Sequence, residues 1–410
     1  MAPKMIDAYR PVVGDQAIDE LYTLAEPLRR RRVQHVNATR MGGGVAEILN
    51  RLVPLMNELG LETTWDILEG EDEFFRVTKS FHNAIQGEPI ELGPRDYEIF
   101  LHWNRRNAKR FDFHGDYVII HDPQPAALVE RRAPVASGQR WIWRCHIDAS
   151  HPHAGLWAFL ERFIRRYDAS MFSAPQFARG PIPQFLITPS IDPLSDKNRP
   201  LDPAYVRSVV ERFNIDPDRP ILTQVSRFDR FKDPVGLIRM YRMVKETHDC
   251  QLVLVGGGAS DDPEGAQVLA DVREAAGQDR DLFVLELPND SHLEINALQR
   301  ASTIVYQKSI KEGFGLTVSE GSWKGRPVIG GATGGIPLQI VDGTTGYLVY
   351  SPEGAAFRTR YLLNHPEVMT EMGKKGAENV LQNHLLTRNL RDYLLILHAV
   401  QRNEPSIHIR

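Results

Sequence analysis

Glu312 and Glu320 are carboxylates eight positions apart, and the segment between them begins with Gly313-Phe314-Gly315. If that segment is helical, the rise of about 1.5 Å per residue separates the two acids by roughly 12 Å. The paired acids that hydrolyse one glycosidic bond stand closer, at roughly 5–9.5 Å. The spacing therefore favours a ligand with two polar ends, such as a sugar joined through phosphates to a ribose. Two solvated charges on an ordinary helix are the alternative.

Cations and helix amides suited to a diphosphate lie in the same half of the chain. Arg227, Arg230 and Lys232 follow a predicted strand at 221–225 within six positions. Arg227 could bind a diphosphate through its planar fork and Lys232 as a point charge, although a solvated loop is also compatible. A helix that starts near Gly315 would add backbone N–H groups and the positive end of its dipole. The sequence has no dense acid cluster with metal-site spacing, so we expect no bound metal.

Two glycine turns could also approach an anion through their backbone amides. Gly42-Gly43-Gly44 follows a predicted strand at 33–39 and opens a predicted helix at 45–59. It is neither a Gly-x-Gly-x-x-Gly fingerprint nor a P-loop, and a plain tight turn explains it equally well. Gly334-Gly335-Ile336-Pro337 follows a later strand, and its position fourteen residues after Glu320 favours a ligand loop over a structural turn.

Histidine and aspartate occur together at two predicted strand ends in the first half of the chain. His121, Asp122 and Gln124 end one strand, and His146 and Asp148 end the next. A single histidine at such a position is usually a structural residue. Two such clusters on neighbouring strands make a functional site as reasonable as a structural role.

Composition describes an ordinary globular protein of two or three domains: 410 residues, 42% hydrophobic and 25% charged. A formal net charge of −4 gives no overall bias toward nucleic acid or membrane. The two cysteines, Cys145 and Cys250, lack metal or redox spacing, which fits a reducing compartment. No apolar run is long enough for a bilayer, and no signal-peptide pattern begins the chain. We expect a cytoplasmic protein.

Short apolar runs alternate with helical patterns throughout, which predicts an α/β fold with parallel, doubly wound sheets. A segment rich in proline and aspartate at 188–203 separates two such series. We therefore place one Rossmann-like domain at 1–190 and a second at 191–385, with ligands at the carboxyl ends of the strands. The predicted strands are 33–39, 97–102, 117–121, 140–147 and 169–172, then 221–225, 251–255, 282–287, 303–307, 328–329 and 346–349.

Together these residues resemble retaining GT-B glycosyltransferases of the glycogen-synthase and sucrose-synthase clan, over nearly the whole chain. The most specific elements are the pair Arg227 and Lys232, Glu312-x7-Glu320, and Gly334-Gly335-Ile336-Pro337. The segments 37–49, 121–125 and 143–148 resemble more narrowly the trehalose glycosyltransferring synthases. Those enzymes reversibly join glucose from a nucleoside diphosphate donor, such as UDP-glucose or ADP-glucose, to free glucose. The resemblance implies two domains that face each other across a cleft, with a last helix, at about 386–410, packed back on the first.

The resemblance also implies residue roles. The first domain would bind the acceptor and the second the nucleotide sugar. Arg227, Lys232, His146 and Glu312 would be catalytic, because they offset charge on the leaving diphosphate or hold the reacting glucose. Gln339 stands where many relatives have glutamate, and we assign it no role. The donor set implied is Gly43, Gly44, Gly313, Phe314, Gly315, Leu316, Thr317, Glu320 and Asn289, and the acceptor set is Asp122, Gln124 and Asp148.

We expect no required cofactor, although a divalent cation could stimulate turnover, and relatives imply a homodimer. Three other functions stay open. The first is a retaining trehalose phosphorylase, and the second is a transferase with a sugar phosphate or another acceptor. Arg105, Arg106, Lys109 and Arg110 could supply cations for such an acceptor, but a solvated helix face explains them better. The third is a sugar-nucleotide-binding protein without catalytic activity.

Overall fold

The computed structural model describes residues 4–40, 44–132, 138–257 and 263–402. The chain divides into two compact units, which we call the N-terminal unit (Met1–Pro189 with Leu386–Arg410) and the C-terminal unit (Ser190–Leu385). Each unit contains a six-stranded parallel sheet flanked by helices. The predicted α/β fold with two doubly wound Rossmann-like sheets is confirmed.

The sheet of the N-terminal unit has the strand order β2-β1-β3-β4-β5-β6. Its central strand β3 is buried at every position, because helices cover both faces of a parallel sheet. The strands are β1 Arg32–Asn37, β2 Glu62–Ile67, β3 Tyr117–His121, β4 Arg140–Arg144, β5 Ala169–Phe172 and β6 Gln184–Leu186. The helices are α1 Arg10–Val13, α2 Asp15–Ala25, α3 Gly44–Glu58, α4 Asp72–Ile85, α5 Pro94–Arg110, α6 Ala154–Ile164 and, from the end of the chain, α14 Leu386–Arg402.

The strand predicted at 97–102 is wrong, because these residues lie inside helix α5. The buried residues Phe100, Trp103, Asn104 and Asn107 recur every three or four positions, which is the period of a helix face. Pro94 occupies the first turn, and the carboxylate of Asp96 accepts a hydrogen bond from the backbone N–H before the helix at 2.7 Å. The strand predicted at 140–147 is also too long, since β4 ends at Arg144. Strands β2 and β6, at the two edges of the sheet, were not predicted.

Helix α14 completes the N-terminal unit. Its buried face packs against α2, and its residues include Leu390, Leu394 and Leu397. Polar contacts fix its orientation: Arg391 pairs with Glu20 at 2.7 Å, and the ring of His398 bonds the carbonyl oxygen of Leu24 at 2.8 Å.

The sheet of the C-terminal unit has the order β12-β11-β10-β7-β8-β9. Its first strand, β7, therefore lies at the centre beside β10, and the chain winds outward from there in both directions. The strands are β7 Ile221–Val225, β8 Gln251–Gly257, β9 Leu282–Leu287, β10 Ile304–Gln307, β11 Val328–Gly331 and β12 Gly346–Val349. The helices are α7 Pro203–Arg212, α8 Pro234–Lys245, α9 Pro263–Ala276, α10 His292–Ala301, α11 Leu316–Trp323, α12 Pro352–Asn364 and α13 Pro366–Asn383. Within the described ranges, no helix is long and apolar enough to cross a membrane.

Candidate active site

The neighbouring strands β7 and β10 form the topological switch point of the C-terminal sheet, the usual ligand position in such folds. The loop after β7 contains a short 3-10 turn, Arg230–Lys232, and leads into α8. The loop after β10 carries Glu312 and leads into α11. Since the two strands are parallel, both loops leave the same edge of the sheet. The fold thus brings Lys232 and Glu312 together although they are eighty residues apart.

Glu312 is a buried carboxylate with three donors on one oxygen. Its Oε2 accepts from Lys232 Nζ at 2.6 Å, Gln307 Nε2 at 2.8 Å and Ser309 Oγ at 3.1 Å. Burial alone would raise the pKa of Glu312, but the Lys232 charge and these hydrogen bonds outweigh it and lower the pKa. Glu312 is therefore held ionised and in a fixed position before any ligand binds. Within the described part of the chain, no hydrogen bond uses its other oxygen, Oε1.

A second ion pair fixes the loop that carries Lys232. Asp233 has a left-handed backbone with φ of 48°, which is costly for a residue other than glycine. Its carboxylate caps α8 by accepting from Gly236 N at 3.0 Å and also pairs with Lys308, which follows β10. This pair joins the ends of β7 and β10 beside the Lys232–Glu312 pair. Sequence reasoning missed Lys308, because nothing local marks it as the partner of Asp233.

The glycines at 334 and 335 allow their turn to pack directly on the backbone of Glu312 and Phe314. Gly334 has φ of 55°, and a Cβ there would overlap the carbonyl oxygen of Glu312. A Cβ on Gly335 would lie 2.8 Å from the Cα of Phe314. The segment 312–320 and the turn at 334–337 therefore pack directly against each other. This close approach explains why neither position 334 nor position 335 carries a side chain.

Gln339, to which we assigned no role, holds these two segments together. Its Oε1 accepts from the N–H of Ser319 at 3.1 Å and from the Ser319 hydroxyl at 2.5 Å. Its Nε2 donates to the carbonyl oxygens of Phe314 at 2.6 Å and Gly315 at 3.2 Å. A buried amide with both a donor and an acceptor is required for this set of contacts, and glutamate lacks the donor.

Glu320 lies on α11, but that helix begins only at Leu316. The estimate of roughly 12 Å from Glu312 therefore does not hold, because the chain from 312 to 315 is not helical. The carboxylate of Glu320 is buried, with Gln299 Nε2 at 3.0 Å and Lys197 Nζ at 3.7 Å. Both partners were missed, since they come from α10 and from the segment before α7.

Lys324 is an unusual buried lysine next to Glu320. Its ammonium donates to the backbone oxygen of Glu320 at 3.2 Å and to Asn198 Oδ1 at 2.9 Å. Burial lowers the pKa of Lys324 to about 7. Nothing in the local sequence marks Lys324 as a buried residue.

Other predicted donor residues lie on the same strand edge without contacting Glu312. The side chain of Arg227 is 71% exposed and pairs with Asp229 at 3.5 Å. Asn289 follows β9 beside Gly257, the last residue of β8. Thr317 donates from Oγ1 to the carbonyl oxygen of Val225 at 3.0 Å and so ties α11 to β7. In the N-terminal unit Gly44 is the first residue of α3, while Gly43 lies outside the described residues.

Three histidines of the N-terminal unit form a hydrogen-bonded series, which we call the histidine chain. His35 Nδ1 lies 2.9 Å from His121 Nε2, and His121 Nδ1 lies 3.0 Å from His146 Nε2. The rings are stacked, with centroids 5.2 and 5.3 Å apart. His121 and His146 were predicted, but His35 was not, because a residue inside a strand reads as core.

Asp122 fixes the position of His146. It has φ of 65°, and its Oδ1 accepts from the backbone N–H of His146 at 2.7 Å. Burial raises the pKa of Asp122 to about 6, despite that hydrogen bond and the nearby charge of Arg144. Asp148 instead caps a local turn, since its Oδ1 accepts from the N–H and hydroxyl of Ser150.

The remaining acceptor candidates differ in their surroundings. The Oε1 atom of Gln124 is buried and has no hydrogen-bond partner in the part of the chain described. Arg106, Lys109 and Arg110 of α5 line a pocket that also contains Glu69. Arg110 there pairs with Glu69 at 3.3 Å, and Arg106 stacks over Trp103. Within the described ranges, no group of three or more histidine, cysteine or acidic residues could hold a metal ion.

Comparisons with known proteins match both units. Residues 35–179 match the family model "Trehalose synthase, N-terminal domain", and residues 208–379 match "Glycosyl transferases group 1". A trehalose synthase of Pyrococcus horikoshii is 46% identical over 97% of this chain and 97% of its own. A trehalose phosphorylase of Pleurotus pulmonarius is 28% identical over 84% of this chain, which covers 54% of that protein. The structure of a sucrose-phosphate synthase from Thermosynechococcus elongatus aligns with a TM-score of 0.71 at 16% identity, over 90% of this chain and 98% of that one.

Proposed function

This chain belongs to the trehalose synthase family of glycosyltransferases and has the GT-B fold, and we propose that it makes trehalose reversibly from nucleoside diphosphate glucose and free glucose, with retention at the anomeric carbon. The Lys232–Glu312 pair at the switch point carries the proposal on the structural side. A fixed anion beside a fixed cation at this position supports a site that holds both a sugar and its diphosphate.

The leaving diphosphate sets the main chemical demand. Cleavage of the glycosyl–phosphate bond leaves positive charge on the sugar and negative charge on the diphosphate. Fixed donors that face this oxyanion stabilise the transition state more than the ground state. We assign this role to Lys232, to the exposed guanidinium of Arg227, to the backbone amides of Leu316 and Thr317 at the start of α11, and to those of Gly43 and Gly44.

Glu312 has a different role, because Lys232, Gln307 and Ser309 all engage Oε2. We assign Oε1 to a hydroxyl of the donor glucose. The pairing also keeps Lys232 in place without neutralising it through proton transfer, since the pKa of Glu312 is lowered. Glu312 thus orients the sugar and positions the cation.

Retention follows if the acceptor hydroxyl attacks from the face that the diphosphate leaves. The new bond forms between the acceptor oxygen and the anomeric carbon as the bond to the phosphate oxygen breaks. The proton of the acceptor hydroxyl then passes to that phosphate oxygen. No separate protein base is required. In the N-terminal unit we assign Asp122, Gln124 and Asp148 to the acceptor sugar and His146 to a glucose hydroxyl.

Glu320 is assigned to the ribose hydroxyls, and its present contacts make this testable. Gln299 and Lys197 occupy only part of the hydrogen-bonding capacity of the Glu320 carboxylate, which leaves lone pairs for the ribose hydroxyls. Glu320→Gln should weaken nucleoside diphosphate binding in calorimetry roughly tenfold or more, because a hydrogen bond to a charged group is worth about 1.5–3 kcal/mol. An unchanged dissociation constant would contradict the assignment.

The working conditions are part of the proposal. We propose a cytoplasmic homodimer that needs no cofactor, that a divalent cation can stimulate, and that binds sugars rather than nucleic acid. Both cysteines, Cys145 and Cys250, are buried and unpaired, which supports a reducing compartment. Asn289 is assigned to the edge of the base pocket.

A trehalose phosphorylase is the second candidate, favoured by the similarity to the Pleurotus enzyme. One experiment separates the two. The protein is incubated with trehalose and, separately, UDP, ADP, GDP or inorganic phosphate, and products are identified by NMR. A nucleoside diphosphate glucose with the α configuration supports the synthase, and glucose 1-phosphate from phosphate alone supports the phosphorylase. No product in any arm overturns both, provided that a melting curve shows folded protein.

A further inference from the structure

The histidine chain runs from the surface of the N-terminal unit into its core. His35 lies on β1, His121 ends β3, and His146 follows β4 by two residues, and these three strands are adjacent in the sheet. His146 is partly exposed, whereas His35 and His121 are fully buried. Proposed sugar binding uses only the outer ring, so the two inner rings need a separate explanation.

The two hydrogen bonds make the protonation of each ring depend on the next. A neutral imidazole has one N–H donor and one unprotonated nitrogen that accepts. If His35 donates from Nδ1, His121 must accept at Nε2 and donate from Nδ1, and His146 must accept at Nε2. His146 then carries its proton on Nδ1, which has no hydrogen-bond partner among the described residues. If the direction is reversed, Nδ1 of His146 becomes an acceptor.

The surroundings keep all three rings neutral. Burial lowers the pKa of His35 to about 3 and moves the pKa of His121 and His146 in the same direction. The guanidinium of Arg144 lies close enough to oppose a further positive charge on the two outer rings. An imidazolium in the series would also break the pattern, because it has two donors and no acceptor.

The inner end of the series decides the direction. His35 Nε2 is buried and finds no hydrogen-bond partner in the part of the chain that the structure describes. A buried N–H group without an acceptor is rarer in native proteins than an acceptor without a donor. We therefore assign Nε2 of His35 as the unprotonated nitrogen, so that every proton in the series points outward.

We propose that His35 and His121 are positioning residues that fix His146 in the Nδ1–H tautomer, so that His146 donates a hydrogen bond to an oxygen of the sugar. This inference rests on the proposed function for the identity of the ligand. It adds that the ring of His146 is a hydrogen-bond donor and that its tautomer is set by His35, two rings along the histidine chain and in the core. A sugar oxygen with a free lone pair is the group that such a ring selects.

The test compares two substitutions of the innermost ring. His35→Asn keeps an N–H close to the position of Nδ1, whereas His35→Leu fills similar space without a donor. Protein with ¹⁵N-labelled histidine is examined by NMR, and the ring signals of His146 are assigned by their loss in His146→Gln protein. We expect Nδ1 of His146 to be protonated in the wild-type and His35→Asn proteins and a mixture of tautomers in His35→Leu.

Kinetics provide the second readout. For glucose transfer from trehalose to a nucleoside diphosphate, kcat/KM should fall roughly tenfold in His35→Leu, the scale of one lost hydrogen bond, and by less than about threefold in His35→Asn. If His35 contributed only to stability, the activity of each variant would instead decrease in proportion to its loss of melting temperature. Equal activity of the two variants at matched stability overturns the proposal.

The failure of each proposal is distinguishable. A wild-type His146 protonated on Nε2 overturns the tautomer inference whatever the activity. A wild-type protein that transfers no glucose overturns the proposed function, and the NMR comparison then decides the histidine chain alone. An unchanged His146 signal in His35→Leu also overturns the inference, since it shows that His35 does not set the tautomer.

Discussion

Breaking the Lys232–Glu312 pair one partner at a time should separate its structural role from its catalytic role. Lys232→Met leaves the Glu312 carboxylate, whose side chain is 9% exposed, without its counter-charge. Removing one partner of a buried pair typically costs about 3–5 kcal/mol, and the remaining donors from Gln307 and Ser309 place this case near 3 kcal/mol. Glu312→Gln should cost less, about 1–2 kcal/mol, because Lys232 is closer to solvent.

The double variant is the informative one. In Lys232→Met/Glu312→Gln neither partner of this pair is left as an unpaired charge, so the free energy of unfolding should return to within about 1 kcal/mol of the wild type. Turnover should not return, since loss of one oxyanion donor lowers kcat by about 10²–10³. Stability recovers while catalysis does not.

Urea unfolding and steady-state kinetics of the four proteins test this reasoning. The exposed pair Arg207–Asp218, with side chains 51% and 73% exposed, is the matched control and should show a coupling energy below about 1 kcal/mol. A Lys232–Glu312 coupling energy no larger than that of the control would refute the structural argument. Near wild-type turnover in the double variant would refute the catalytic one.

Three further predictions concern the glycines, Gln339 and the histidine chain. Gly334→Ala should destabilise the protein far more than the control Gly325→Ala. Gly325 also has a left-handed backbone, with φ of 72°, but a Cβ there meets nothing within 4 Å, so only the backbone cost of about 1–2 kcal/mol applies. Equal urea midpoints of the two variants would contradict the overlap with Glu312. Gln339→Glu should lose about 1–3 kcal/mol at pH 7 and less at pH 5, where the new carboxyl regains a proton and can donate; wild-type stability at both pH values would be inconsistent with its clamping contacts. The pKa of His35 is about 3 in the folded state against 6.5 in the unfolded chain, so the folded state binds fewer protons and the free energy of unfolding increases as the pH rises from 3 to 6.5. This effect is worth up to about 5 kcal/mol. A His35→Leu protein whose stability depends on acid pH as the wild type does would exclude this contribution of His35.

The sequence was sufficient for the fold class because strand and helix periods differ. It failed at 97–102, where a run of apolar and aromatic residues fits either period and only the partners of Phe100 and Trp103 decide. Edge strand β2 escaped notice because four of its six residues are polar. These errors concern local patterns that tertiary packing overrides.

The candidate site was predictable in residue types but not in contacts. Glu312 and Lys232 stand out because each follows a predicted strand of a parallel sheet, where ligands usually bind, yet their pairing depends on β10 lying beside β7. Lys308 and His35 have no local signal, since their partners are 75 and 86 positions away. The role of Gln339 was missed for a related reason. It stands where many relatives have glutamate, so we assigned it no role, yet its side chain makes four hydrogen bonds that hold 314–319 in place.

The two units hold their site residues by the same physical device, a strained aspartate. Asp122 and Asp233 both adopt a left-handed backbone. Asp233 follows Lys232, which we propose acts on the diphosphate. Asp122 follows His121, which is hydrogen-bonded to His146. Arg30 and Asn214 share this conformation but lie on exposed turns. Each aspartate uses its carboxylate to hold a backbone N–H, that of His146 in one unit and that of Gly236 in the other. Glycine would relieve the backbone cost of about 1–2 kcal/mol but lose this hydrogen bond. The strain is therefore explained by positioning: the turn that aims the neighbouring side chain has φ above zero, and a short side chain with an acceptor oxygen holds it there.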